Sequence, residues 1–227
     1  MTQRNASGQT VYSLVYQLRE ASCGAVLAAH SDRFSTDAVD AFGSTLLMFA
    51  VKHDDYDGAA FLLDELSVDP KQTAGSKTFD TPLHVVAHKG HLETARRIIA
   101  VDPEACTLQN TRGRTPLHEA ATAGHVDMVS LLLPHSMSPV LKDIEGATAL
   151  LAAISAGQPD VAMMIASSGS GLFLGEVNLM GQSALHLLAS FGAPLGKRCL
   201  PLFNLLVDSG VAIDDVRADN LHLGADY

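Results

Sequence analysis

The stretch Arg112-Gly113-Arg114-Thr115-Pro116-Leu117-His118-Glu119-Ala120-Ala121-Thr122-Ala123-Gly124-His125 recurs in varied form along a chain of 227 residues. Thr81-Pro82-Leu83-His84, 34 residues upstream, repeats its core and closes on Gly90-His91. Gly146-Ala147-Thr148-Ala149-Leu150-Leu151 sets Thr148 33 residues after Thr115 and closes at Gly157. Ser183-Ala184-Leu185-His186, closing at Gly192, is a further copy, and Gly43-Ser44-Thr45-Leu46-Leu47 is an earlier, weaker one. A period in the thirties marks a stacked array of small units.

Each recurring spacing has a mechanical reason. A Gly such as Gly113 or Gly146 suits a tight turn with unusual backbone angles. The Thr two residues later can cap the coming helix, and a Pro in the first turn loses no hydrogen bond. Leu83, Leu117, Leu150 and Leu185 are expected to point into the stack. Ala87, Ala120, Ala121, Ala152 and Ala153 let neighbouring helices approach closely. Gly90, Gly124, Gly157 and Gly192 let the chain reverse into a second helix. No unit can bury its apolar face alone, so the units must stack.

These residues resemble the ankyrin repeat. The match is close at Thr81–His91 and Thr115–His125, looser at Gly146–Gly157 and Ser183–Gly192, and weak at Gly43–Asp54. Leu46, Ala149 and Ala184 replace the Pro, and Met48 and Leu151 replace the His. The expected fold is therefore all-α: an ankyrin-type solenoid of stacked helix-turn-helix repeats with β-hairpin-like loops.

Residues 1–37 are expected to form a helical cap or a degenerate repeat, 38–220 the array, and 221–227 a tail. Within the array the units fall at roughly 40–66, 78–101, 110–133, 143–166 and 178–208. Helices are expected at Leu46–Lys52 and Ala59–Leu66, after an acidic turn at Asp54–Asp57. The next are Pro82–His88 and Leu92–Ala100, then one from Pro116 and Val126–Leu133, stopped by Pro134. In the fourth unit, Val161–Ala166 is the second helix. Enlarged loops are expected at Val68–Asp80 and, as an insertion before the last helix, at Ala193–Cys199. Ser167–Gly171 reads as a flexible joint. The hairpin begun after Gly210 suggests a cap or a piece of a longer chain.

Composition narrows the function. The chain is 47% hydrophobic and carries a net charge of -10. An acidic chain has no general attraction for nucleic acid or anionic lipid, and neither nucleic-acid binding nor membrane insertion is expected. Apolar runs fall short of the roughly 18 residues that span a bilayer. Arg19 and Glu20 interrupt the apolar N-terminal stretch, which argues against a signal peptide. Cys23, Cys106 and Cys199 are unpaired in spacing, which fits a reducing cytoplasmic or nuclear setting.

Catalytic motifs are missing. His118-Glu119 begins like HExxH, but Thr122 stands where the second His is needed. His84, His88 and His91 could ligate zinc if their side chains converged, which leaves a metal-dependent enzyme as a remote alternative. His84, His118 and His186 are better explained as structural, their rings bonding backbone. The expectation is a monomeric, non-enzymatic protein without cofactor or metal.

In ankyrin-like stacks the resemblance implies that hairpin tips and the exposed side of each first helix meet partners. Here these positions supply Lys52, His53, Lys77, Thr78, His88, Lys89, Arg112, Arg114, Thr122, Glu145, Met180 and Phe191. Lys52, Lys77, Lys89, Arg112 and Arg114 make one end basic. Leu179, Met180 and Phe191 make the other end apolar. The expected partner is a protein with an acidic segment followed by an apolar anchor. The alternative is a regulatory, inhibitory or recruiting module of a larger protein or complex.

Overall fold

The computed structural model describes residues 44–73, 79–135, 140–168, 174–190 and 193–211, with only the backbone at 193–197. The expectations for residues 1–37, for Lys77, Thr78 and Phe191, for residues 169–171 of the joint expected at Ser167–Gly171 and for the chain after 211 lie outside these residues, while Ser167 itself ends a helix.

Among the described residues the fold is helical throughout, and its ten α-helices fall into five pairs. They are α1 Leu46–Lys52, α2 Tyr56–Asp64, α3 Pro82–Lys89, α4 Leu92–Val101, α5 Pro116–Ala123, α6 Val126–Leu132, α7 Ala149–Ser155, α8 Pro159–Ser167, α9 Ala184–Ser190 and α10 Ala193–Asp208. Two 3-10 turns, Pro103–Thr107 and Leu133–His135, follow α4 and α6. The first helices stack in one row, α1, α3, α5, α7 and α9, and the second helices in a parallel row, α2 to α10.

Local chemistry starts and stops these helices. Thr45, Thr81, Thr115 and Thr148 occupy the N-cap positions of α1, α3, α5 and α7. Pro82 and Pro116 follow in the first turn. Gly90 and Gly124 end α3 and α5 in the left-handed conformation, at φ 77° and 82°, which costs other residues about 1–2 kcal/mol. Side chains of the next repeat crowd both glycines. A Cβ on Gly90 would stand 2.8 Å from the His125 ring, and one on Gly124 would stand 2.5 Å from Gln158.

Four details differ from the sequence expectation. Helix α2 begins at Tyr56, because the Asp55 carboxylate accepts the Gly58 N–H at 2.9 Å and caps it; the acidic turn is shorter by that much. Helix α8 begins at Pro159, whose ring suits the first turn. Pro134 does not end the winding after α6; the chain tightens into a 3-10 turn around it. The stretch expected as an insertion at Ala193–Cys199 is helical and forms the first turns of α10, which accommodates Pro201 in its interior.

The core runs the length of the stack. Leu47, Leu83, Leu117, Leu151 and Leu185 of the first-helix row are buried, as are Leu62, Ile98, Met128, Val161, Leu202 and Leu206 of the second. Each fully buried Leu contributes roughly 1.5–3 kcal/mol. Ala87, Ala120, Ala121 and Ala153 are fully buried between helices, so the rows pack closely.

Candidate partner-binding face

The loops between helix pairs are built on one repeated device. The Asn110 side-chain oxygen accepts the Arg112 and Arg114 N–H groups at 2.9 and 3.0 Å. The Asp143 carboxylate accepts those of Glu145 and Ala147, both at 2.9 Å. The Asn178 oxygen accepts those of Met180 and Gln182 at 3.0 and 2.9 Å. A Gly three residues after each, Gly113, Gly146 and Gly181, takes positive φ. The result is a stiff finger whose two tip residues face outward. The sequence reading missed this role of Asn110, Asp143 and Asn178; the signal was an Asn or Asp three residues before the turn Gly.

Neighbouring fingers are joined by backbone. Ile144 donates to the Arg112 carbonyl and Leu179 to the Glu145 carbonyl, both at 2.9 Å. Histidines join α3 and α5 each to the next finger. His84 Nδ1 accepts the Thr81 N–H at 3.2 Å, so the proton sits on Nε2, which donates to the Arg114 carbonyl at 2.8 Å. His118 does the same with the Thr115 N–H at 3.2 Å and the Ala147 carbonyl at 3.1 Å. Burial lowers the pKa of both rings below the usual imidazole value, consistent with neutral, structural histidines.

The three histidines that could suggest a metal turn to different partners. His84 is occupied as described. His88 Nδ1 lies 3.5 Å from Glu119. His91 lies 3.5 Å from Asp54 and edge-on to Tyr56. Among the described residues no group of three or more His, Cys, Asp or Glu gathers to hold a metal ion. Both described cysteines are buried, and burial pushes the Cys106 thiol up to about 11, far from the reactive thiolate range.

Among the described residues the basic side chains of the face are engaged within the chain. Lys89 Nζ bonds the Asp54 carboxylate at 2.7 Å and the Lys52 carbonyl at 2.6 Å. Arg112 Nη2 meets Glu119 at 3.3 Å and Arg114 Nε meets Asp143 at 3.4 Å. Lys52 Nζ donates to the Ser44 hydroxyl at 3.3 Å. Thr122 bonds the His118 and Glu119 carbonyls of its own helix, and His53 stacks on Phe49.

The apolar end is open. Ile144, Leu179 and Met180 are 63%, 79% and 80% exposed at the tips of adjacent fingers, with Val177 beside them. Leu179 leans over Gly146, where a Cβ would approach its Cγ to 3.0 Å. Glu145 shares this ridge with the apolar tips, its N–H held by Asp143. Among the described residues no helix is long and apolar enough to cross a membrane.

The comparisons with known proteins agree with this architecture. Ankyrin repeats (3 copies) match over residues 67–143 and 83–172. Human Rabankyrin-5 is 30% identical over 165 residues, 68% of this chain and 14% of that protein. A rice protein, Probable E3 ubiquitin-protein ligase XBOS32, is 34% identical over 117 residues, 51% of this chain and 23% of that protein. Mouse B-cell lymphoma 3 protein homolog is 29% identical over 142 residues, 60% of this chain and 30% of that protein. This chain thus spans less than a third of the length of each of these relatives. By these matches, its stacked helix pairs and its Thr-Pro-Leu-His connections, the chain belongs to the ankyrin repeat family.

Proposed function

We propose that this chain is a non-catalytic binding module that holds a protein partner against its finger tips and first-helix row. One observation carries the reading: three large apolar side chains, Ile144, Leu179 and Met180, stand exposed together on fingers that hydrogen bonds hold rigid. Exposed apolar patches on otherwise well-buried proteins mark interaction sites, and rigid presentation lowers the entropic cost of binding. The partner's apolar anchor sits on this ridge. Lys52, His53, His88, Lys89, Arg112, Arg114, Thr122 and Glu145 flank its path, with Lys77, Thr78 and Phe191 assigned to it from sequence. An acidic partner segment reaches the basic end by exchanging with Asp54 and Asp143, so its binding weakens with salt.

The module works in the cytoplasm or nucleus as a monomer, by recruiting or covering the partner, alone or within a larger protein. The test is capture of partners from the native cell with wild-type chain and with the Leu179→Ser/Met180→Ser variant. The reading expects one specific partner with wild type and at least about tenfold less with the variant, the scale of losing central apolar contacts. Equal capture by both removes it.

A further inference from the structure

A cup of about 180 Å³ opens on the same face, between α3, α5 and the Arg112 finger tip, lined by Asp80, His84, Val85, His88, Lys89, Arg112 and Glu119. It has room for roughly six waters, the scale of one long side chain. Its deepest charge is the Glu119 carboxylate, whose side chain is only 7% exposed. That carboxylate is poorly answered. It meets Arg112 Nη2 at 3.3 Å, Asn110 Nδ2 at 3.5 Å and His88 Nδ1 at 3.5 Å. Charge-assisted bonds to a carboxylate run about 2.7–2.9 Å, so all three contacts are long. A second carboxylate, Asp80, lines the cup and is bridged to Glu119 by the Asn110 amide, 2.7 Å from Asp80.

The cations at the rim do not fill it. The Lys89 stem lines the wall, but its ammonium is directed to Asp54 and the Lys52 carbonyl. The Arg112 side chain is 46% exposed and held to Glu119 by one long contact. Two carboxylates therefore share the cup with one loosely held guanidinium and two imidazoles, of which His84 is already engaged with Thr81 and the Arg114 carbonyl. The chain as a whole carries a net charge of -10, which favours approach of a cation.

We propose that this cup receives an arginine side chain of the protein partner, bound between Glu119 and Asp80. A guanidinium brings five N–H donors in a planar fork and suits two separated carboxylates. The Arg112 side chain is its intramolecular stand-in and swings out when the partner's arginine enters. This inference rests on the reading that the face binds a protein, and it specifies the chemistry of one anchor. It reverses the charge expected of the partner at this point, although the apolar anchor is unchanged.

The test uses the full chain and three small probes: N-acetyl-arginine amide, its neutral citrulline analogue and N-acetyl-glutamate amide. Backbone amide NMR shifts report binding. Saturable shifts confined to residues 80–89 and 110–119 are expected with the arginine probe alone. Glu119→Gln and Asp80→Asn each weaken it by about tenfold, the scale of losing one charge-assisted bond, and the second variant keeps the test open if the first unfolds. Arg112→Ala strengthens it several-fold by vacating the cup. Equal shifts with citrulline, shifts with glutamate alone, no shifts, or weaker binding in Arg112→Ala each overturn the proposal. A failed cup with capture still lost in Leu179→Ser/Met180→Ser removes only the arginine anchor. Capture unaffected by that double substitution removes the ridge reading whatever the probes do.

Discussion

The repeats at residues 81–125 and those at 143–190 share a backbone plan but solve two problems differently. In the first pair, His84 and His118 fasten helix to finger through buried polar bonds, and the finger tip at Arg112 is charged. In the fourth repeat, Leu151 stands where the His would be and is buried, and the tips beyond it are apolar and open. Yet the fingers keep the same 2.9 Å backbone link in both regions, Ile144 to Arg112 and Leu179 to Glu145. The histidine is thus a reinforcement of the stack, whereas the Asn or Asp turn and the backbone link are its common requirement. Tip chemistry varies freely because neither device uses the tip side chains.

The largest expected effect probes the exchange of His for Leu. Leu151→Ala opens a cavity in the core and should cost about 2–5 kcal/mol in chemical denaturation. Leu151→His should cost distinctly less. Thr148 already caps α7 through the Leu151 N–H, and the Gln182 carbonyl closes its turn on Asn178 as the Ala147 carbonyl, the acceptor of His118, closes its turn on Asp143. If Leu151→His is as damaging as Leu151→Ala, the two repeats are not interchangeable and the comparison breaks.

The next effect is pH dependence. Burial lowers the folded pKa of His84 and His118 below the 6.5 of the free side chain. Below pH 6.5 the unfolded chain therefore takes up protons that the folded chain refuses, and stability falls with acid. The contribution is whole above pH 6.5 and is lost as pH drops from there towards the folded values, at up to about 1.4 kcal/mol per unit for each ring. Lys89 and Lys71 hold the Asp54 and Asp102 carboxyls low, and those groups lose their contribution only below pH 3.8. Denaturation midpoints between pH 7 and 5 should fall in wild type and fall less steeply in His84→Asn/His118→Asn, where His91, also lowered by burial, still contributes. A wild-type midpoint constant over that range would deny the neutral, buried assignment.

Much of this architecture was legible because the helix-ending signals are local. Thr115, Pro116 and Gly124 act within their own turn, so the sequence places α5 to the residue. The errors fell where a choice depended on neighbours. Ala193–Cys199 holds residues that suit loop or helix alike, and only packing of α10 on α8 selects helix. The cations on the face were legible as a stripe, but their partners were not. Asp54 and Asp143 lie 35 and 29 residues from Lys89 and Arg114 in sequence, and stacking brings them together. The apolar tips were legible only through the resemblance, which puts Leu179 and Met180 on a hairpin tip by their place in the repeat.

Two glycines separate what the finger link needs from what any turn needs. Gly146 and Gly157 have nearly the same φ, 74° and 71°. A Cβ on Gly146 would lie 2.8 Å from the Leu179 nitrogen, whereas one on Gly157 meets nothing within 4 Å. Gly157→Ala should lose only the left-handed penalty, about 1–2 kcal/mol. Gly146→Ala should lose that and a further increment, because the clash is with backbone that already donates to Glu145. Equal losses in thermal melts would mean that the fourth and fifth fingers yield easily, and the rigid ridge would lose its basis.

The smallest expected effect on stability belongs to the residues with the largest expected effect on partner binding. Leu179 and Met180 are about four-fifths exposed, and surface changes of this kind usually stay within about 0.5 kcal/mol. The finger does not depend on them, since Asn178 holds the Met180 N–H and Leu179 donates through its backbone. Leu179→Ser/Met180→Ser should therefore melt with wild type while partner capture falls. The equivalent change in the other region, Arg112→Ala, should cost more, because it leaves the nearly buried Glu119 carboxylate with only its long contacts to Asn110 and His88, although the Asn110 turn stays intact because it holds the Arg112 N–H. A melt lowered by several degrees in the Leu179/Met180 variant would show that the ridge supports the stack, and its exposure would then no longer speak for a partner.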